Sequence, residues 1–312
     1  MPELKQPTIV TGSAVEVEAL RQGFNRGFAD YRYNMQMDPS GMRGHLRRSS
    51  IAPEDCAVLV AEEEGRMQGV GAALLAVRGD EGWCGGLSVD PAYRGGGWGR
   101  RLMEQLKRSA VKRGVRRILL EVLITNDHAR SVYRQAGFKR LRELLLWERD
   151  PRQGPLPLPY ERLEETDPVR ILRDFYRWHE LPMIWQRRAR SLLNYVEQHG
   201  CIGLTIAAKD GAPVAYALVS PSSSSGVPAQ GQPATRLRIL DVAVDPEANL
   251  QDAARPLLQA LQLRYVDARL TLMDQPADNR LNPVFASLGF RVFDRQYEMA
   301  VDLAESPPDT DQ

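Results

Sequence analysis

The sequence predicts two α/β domains in tandem, each a mixed, mostly antiparallel central sheet flanked by helices. Three observations carry this expectation. Short apolar runs bounded by turn residues succeed one another between residues 57 and 89, as strands of a meander do. A glycine-rich turn and a helix with apolar residues at helical spacing follow. The same order of signals then recurs 152 to 155 residues downstream, in a chain of 312 residues. That length suits about two domains.

Taken in order, the first half opens on a short strand over Thr8–Thr11, then helices over residues 15–31 and 40–48. Ala57–Ala61, Val70–Val77 and Trp83–Val89 read as strands, the last stopped by Asp90-Pro91. After the glycine-rich stretch Arg94–Gly99, Leu102, Leu106 and Ala110 mark one face of a helix, with Met103 beside them. Arg117–Ile124 is nearly all apolar, as a central strand buried on both faces is. Asn126 or Asp127 caps a helix that Gly137 ends, and Phe138–Glu148 is a last strand.

The proline-rich stretch at 151–159 reads as a linker between domains at 1–150 and 160–303. Beyond it Val89-Asp90-Pro91 recurs as Val244-Asp245-Pro246, and Arg117–Glu121 recurs in type as Arg269–Met273. Tyr133–Phe138 recurs as Phe285–Phe290. Three matches in order at nearly one offset identify an internal duplication. Residues 221–234 read as a flexible loop, and 304–312 as a disordered tail.

Forty-one basic and 40 acidic residues give a net charge of +1, so no overall basic field recommends nucleic acid as a partner. Met1–Lys5 lacks a signal-peptide core, and no stretch approaches the ~18 apolar residues of a membrane span. Cys56, Cys84 and Cys201 and four scattered histidines match no metal spacing, so no metal is expected. The expectation is a cytoplasmic protein.

The informative segment is Arg94-Gly95-Gly96-Gly97-Trp98-Gly99-Arg100, set between a strand and a helix. Glycines let backbone approach a ligand, and the helix start offers unpaired N–H groups that suit a diphosphate. Arg100, Arg101, Lys107, Arg108, Lys112, Arg113, Arg116 and Arg117 face only Glu104 in charge. A plain turn followed by a solvated basic helix explains the same residues, so the loop needs its context. A Walker A loop lacks its Gly-Lys-Ser/Thr, and the dinucleotide fingerprint lacks its parallel unit.

With Leu87-Ser88-Val89 before it, Arg94-x-x-Gly97-x-Gly99 resembles the acyl-CoA motif of the GNAT superfamily of N-acetyltransferases. Asn126 and Tyr133-x-x-x-Gly137-Phe138 resemble its second signature. The resemblance covers residues 8–149 well and 160–303 weakly. It implies that each half is GNAT-like and that the amides of Gly95, Gly96, Gly97, Trp98, Gly99 and Arg100 hold the diphosphate of acetyl-CoA. It implies that Leu87, Ser88 and Val89 pair with the pantetheine arm, one N–H polarising the thioester carbonyl. It further implies that Asn126 bonds near that arm and that Tyr133 protonates the departing thiolate.

An acceptor ammonium must lose a proton before it attacks. Glu121, the lone ionisable residue within Ile118–Ile124, is the candidate base; a structural carboxylate paired with an arginine, or one at the sheet's margin, is the other reading. Cys84 reads as a buried structural thiol. Tyr31, Tyr33, Met35 and Met37 line an acceptor site or simply pack the core. In the second half the loop becomes Glu247–Ala253, glycine-free and acidic, and Phe285 replaces Tyr133, so the family functions do not carry over. Phe175–His179 with Trp185 is a helix core or a wall of the acceptor site. The expected activity is transfer of acetyl from acetyl-CoA to a primary amine of a small molecule by direct attack; the alternative is a non-catalytic acyl-CoA-binding sensor or scaffold.

Overall fold

The computed structural model describes residues 6–151, 163–208, 210–221 and 235–303. The linker at 151–159, except Asp150's neighbour Pro151, the loop at 222–234 and the tail at 304–312 lie outside them. Two compact units emerge: Met1–Leu141 with Tyr297–Gln312, and Arg142–Gln296.

The first unit holds strands β1 (Thr8–Thr11), β2 (Ala57–Glu63), β3 (Arg66–Arg78), β4 (Glu81–Val89) and β5 (Arg117–Leu123) in sequential order, followed by the end of the last strand of the chain. The first four pair antiparallel, as the alternation of apolar runs and turns requires, and β5 lies parallel to β4. The helices are α1 (Val17–Gly27), α2 (Pro39–Ser49), α3 (Trp98–Lys112) and α4 (Asp127–Gln135). Leu102, Met103, Leu106 and Ala110 of α3 are wholly buried against Ile118, Leu120 and Val122. Full burial of each large apolar side chain is worth about 1.5–3 kcal/mol. Asn126 is the cap of α4, its Oδ1 accepting from Ala129 N at 3.1 Å, and Gly137 follows the helix at φ +93°.

In the second unit, β6 (Lys139–Arg149), β7 (Leu163–Thr166), β8 (Ile202–Ala207), β9 (Pro213–Pro221), β10 (Thr235–Val244) and β11 (Ala268–Pro276) are ordered β6-β11-β10-β9-β8-β7. Here β10 and β11 are parallel, and β6, β7, β8 and β9 pair antiparallel with their neighbours. Helices α5 (Pro168–Arg173), α6 (Phe175–Trp178), α7 (Ala189–His199), α8 (Ala254–Arg264) and α9 (Asn282–Ser287) complete it. The last strand, β12 (Arg291–Asp302), gives Arg291–Gln296 to this unit and Tyr297–Asp302 to the first. The strand that ends the first sequence half is therefore hydrogen-bonded to β11. Strand signals specify which face is buried but not which strand lies alongside.

The duplication is visible atom by atom. Asp90 and Asp245 each accept from the backbone N–H two residues on, at 2.9 and 3.0 Å, and each donates its own N–H to the neighbouring strand, at Val70 and Val214. Arg26 pairs with Asp90 as Arg177 pairs with Asp245. Gly137 and Gly289 share a left-handed φ, +93° and +82°.

Candidate functional site

The site begins with a bulge. Cys84 faces Leu75 and Gly86 faces Leu74, so Gly85 is an extra residue in β4. Bulges bend a strand and end regular pairing. The parallel ladder between β4 and β5 stops at Trp83 and Leu119, immediately before it. Beyond that point a cleft of about 820 Å3 opens, lined by Leu87, Ser88 and Val89 from β4, by Leu123 at the end of β5 and by Asn126 after it.

The glycine loop forms one end of the cleft. Gly95 and Gly97 adopt φ of +90° and +73°, and a Cβ at either would meet no protein atom within 4 Å. The side a residue would occupy is thus open, and the left-handed conformation itself selects glycine. Gly97 stands at the cap position of α3 and, lacking a side chain, supplies no cap hydrogen bond to the helix start. These N–H groups and the positive end of a 15-residue helix form a cradle that fits a diphosphate. A Cβ on Gly96 would collide with the Trp98 indole at 2.8 Å, which explains the third glycine.

Of the residues anticipated from sequence, Leu87, Ser88, Val89, Arg94, Gly95, Gly97, Trp98, Gly99, Arg100, Asn126 and Tyr133 line this one cleft, whereas Gly96 and Glu121 do not. Arg94 spends its guanidinium on protein: Nη1 and Nη2 donate to Asp30 at 2.6 and 2.8 Å, and Nε donates to Val89 O at 3.0 Å. Tyr133 is buried. Burial first, then the neighbouring Cys84, raises its phenol well above the ordinary value. Tyr133 therefore carries its proton at neutral pH. Burial likewise pushes the Cys84 thiol up to about 12, the environment of a buried structural thiol.

Glu121 accepts from Trp83 Nε1 at 2.8 Å. Of the four aromatic and methionine candidates between α1 and α2, only Tyr31 lines the cleft, among the described residues. Sequence reasoning missed Phe28, Asp30, Arg32, Thr125 and His128, which also line it. None belongs to a periodic pattern or motif.

The second unit repeats the bulge at Leu240, 155 residues after Gly85, but fills the space beyond it. Arg187 donates to Asp241 Oδ1 at 3.0 and 2.7 Å and to Gln275 Oε1 at 2.5 Å, spanning β10 and β11. His179 Nε2 and Tyr216 Oη meet Asp241 Oδ2 at 3.0 and 2.6 Å. Burial pushes the Asp241 carboxyl up, but the His179 ring and Arg187 guanidinium outweigh it and hold the group well below the carboxylate range. Of the cluster at 175–179 with Trp185, Phe175, Trp178 and Trp185 are buried and Tyr176 is exposed.

Tandem GNAT-like units, one carrying an open glycine-lined cleft, are the architecture of an acetyltransferase fold. The chain belongs to the acetyltransferase (GNAT) family, whose model matches residues 18–138. The IAA acetyltransferase of Azospirillum brasilense is 32% identical over 107 residues, 34% of this chain and 70% of that relative. The N-alpha-acetyltransferase RimI of Mycobacterium tuberculosis is 47% identical over 55 residues, 18% of this chain and 33% of that relative. A solved tandem GNAT protein from the clavulanic acid biosynthesis pathway shares the fold at TM-score 0.68 and 18% identity, over 98% of this chain and 100% of that one. Among the described residues no helix is long and apolar enough to cross a membrane.

Proposed function

We propose that the protein transfers the acetyl group of acetyl-CoA to a primary amine of a small molecule, by direct attack of the amine on the thioester. The observation that carries this reading is the convergence of the loop, the bulged strand, Asn126 and Tyr133 on one cleft. The acyl donor supplies the activated carbonyl. The amides of Gly95 to Arg100 hold its diphosphate, Leu87 to Val89 offer backbone pairing beyond the bulge, and Asn126 bonds near the pantetheine arm. A fixed N–H of β4 stabilises charge on the carbonyl oxygen without reorganisation. Tyr133 keeps its proton and gives it to the departing sulfur.

Glu121 is the proposed base. Its charge is among the contributions that raise the Tyr133 phenol and the Cys84 thiol, which supports this reading, although Glu121 does not line the cleft. Along the chain, residues 1–150 carry the activity and 160–303 form a copy without a cofactor site. A library of primary amines screened for release of free CoA thiol tests the reading; no amine-dependent thiol release with acetyl-CoA bound would return the protein to the class of acyl-CoA sensors.

A further inference from the structure

Asp30 is the one carboxylate among the described residues that line the cleft. Both its oxygens accept from Arg94, whose Nη2 also donates to Gly27 O at 3.0 Å. The Arg94 guanidinium holds Asp30 below the usual carboxylate range, and Asp30 raises Arg94 in return. In sequence Asp30 lies between Phe28 and Tyr31, cleft-lining rings that meet edge to face at 5.1 Å. Arg94 is the residue before the glycine loop. One ion pair thus joins the side of the cleft that suits an anion to the side walled by aromatic rings.

We propose that Asp30 is the anion against which the acceptor docks as its ammonium, and that Arg94 shields it until a donor diphosphate draws the guanidinium away. The inference rests on the acyl-CoA reading above. While the pair is closed, an ammonium would have to displace a bidentate guanidinium, which it does poorly. A diphosphate beside Gly95 offers Arg94 a partner of higher charge and returns the negative charge of Asp30 to the cleft. Donor and amine then favour each other reciprocally, and the amine follows the donor. The occupant is a primary ammonium on an apolar body that rests against Phe28 and Tyr31. The docked nitrogen still loses its proton before it attacks, so Asp30 positions the acceptor and is not the base.

A simple latch, fastening the segment after α1 to the end of β4, would predict effects of the opposite sign. Calorimetry on the full chain separates the two, with phenethylamine as the probe and CoA as the unreactive donor analogue. The proposal expects CoA-loaded protein to bind phenethylamine on the order of 10-fold more tightly than free protein. Asp30→Asn should erase that gain while binding acetyl-CoA at least as tightly as the parent. Arg94→Gln should bind phenethylamine without CoA about as well as the loaded parent does. Equal weakening of both ligands by Asp30→Asn, or unchanged phenethylamine binding, overturns the proposal in favour of a latch. A parent that binds acetyl-CoA yet gains no phenethylamine affinity overturns this inference alone; a parent that does not bind acetyl-CoA overturns the acyl-CoA reading and this inference with it.

Discussion

The indole N–H of Trp83 on β4 reaches the Glu121 carboxylate on β5 at 2.8 Å, at the point where the ladder between the two strands ends. Glutamine at 121 keeps an acceptor for that N–H and removes only the charge. If Glu121 is the base, Glu121→Gln lowers kcat by about 100-fold or more, with acetyl-CoA affinity unchanged. Turnover within about twofold of the parent would leave deprotonation to solvent.

The glycine loop is tested by Gly97→Asp. The residue sits at φ +73° with open space on its side-chain face, so aspartate is tolerated sterically better than most residues. Its carboxylate, however, would face the diphosphate. Acetyl-CoA binding should weaken on the order of 100-fold while thermal unfolding shifts little. Because Trp98 lines the same cleft, its fluorescence reports the titration directly. Unchanged affinity in a folded variant would remove the loop from the cofactor site.

Much of this site is legible in sequence because local rules dictate it. The apolar spacing of Leu102, Leu106 and Ala110 fixes the buried face of α3, and Asn126 and Gly137 mark the ends of α4. What escapes is long-range pairing. Arg94 and Asp30 are 64 residues apart, and Arg187 and Asp241 are 54 apart, with nothing in the intervening sequence to join them. The bulge at Gly85 is invisible for the same reason: it is defined by the partner strand. The pairing of β6 with β11 depends on which strand lies alongside, information absent from hydrophobic pattern.

The second unit should bind no acyl-CoA, because Arg187 occupies the space between its parted strands. Calorimetry should give one CoA per chain, and two would contradict this. Arg187→Met leaves Asp241 buried without its guanidinium, a loss of about 3–5 kcal/mol in the unfolding of this unit. The depressed carboxyl makes the acid dependence explicit. Its stabilising share is present above the unfolded carboxylate range and is lost only as pH falls through the lower folded value, so Arg187→Met should begin acid unfolding at higher pH than the parent.

The raised phenol of Tyr133 fixes the alkaline side of the pH profile. A general acid is active only while protonated, and burial moves its deprotonation to higher pH. With a saturating acceptor, kcat should therefore show no fall through the ordinary tyrosine range near pH 10. A descending limb well below that value would exclude Tyr133 as the donor.

The most direct test is amine-dependent release of CoA thiol by the parent and by Tyr133→Phe, measured at saturating acetyl-CoA. The substitution keeps the ring that packs against Phe138 and removes only the proton donor. A transferase that works through this cleft predicts a fall in kcat of about 10- to 1,000-fold, with the KM for acetyl-CoA within about twofold of the parent. Parental kcat in the phenylalanine variant, on an amine that the parent acetylates, would contradict it.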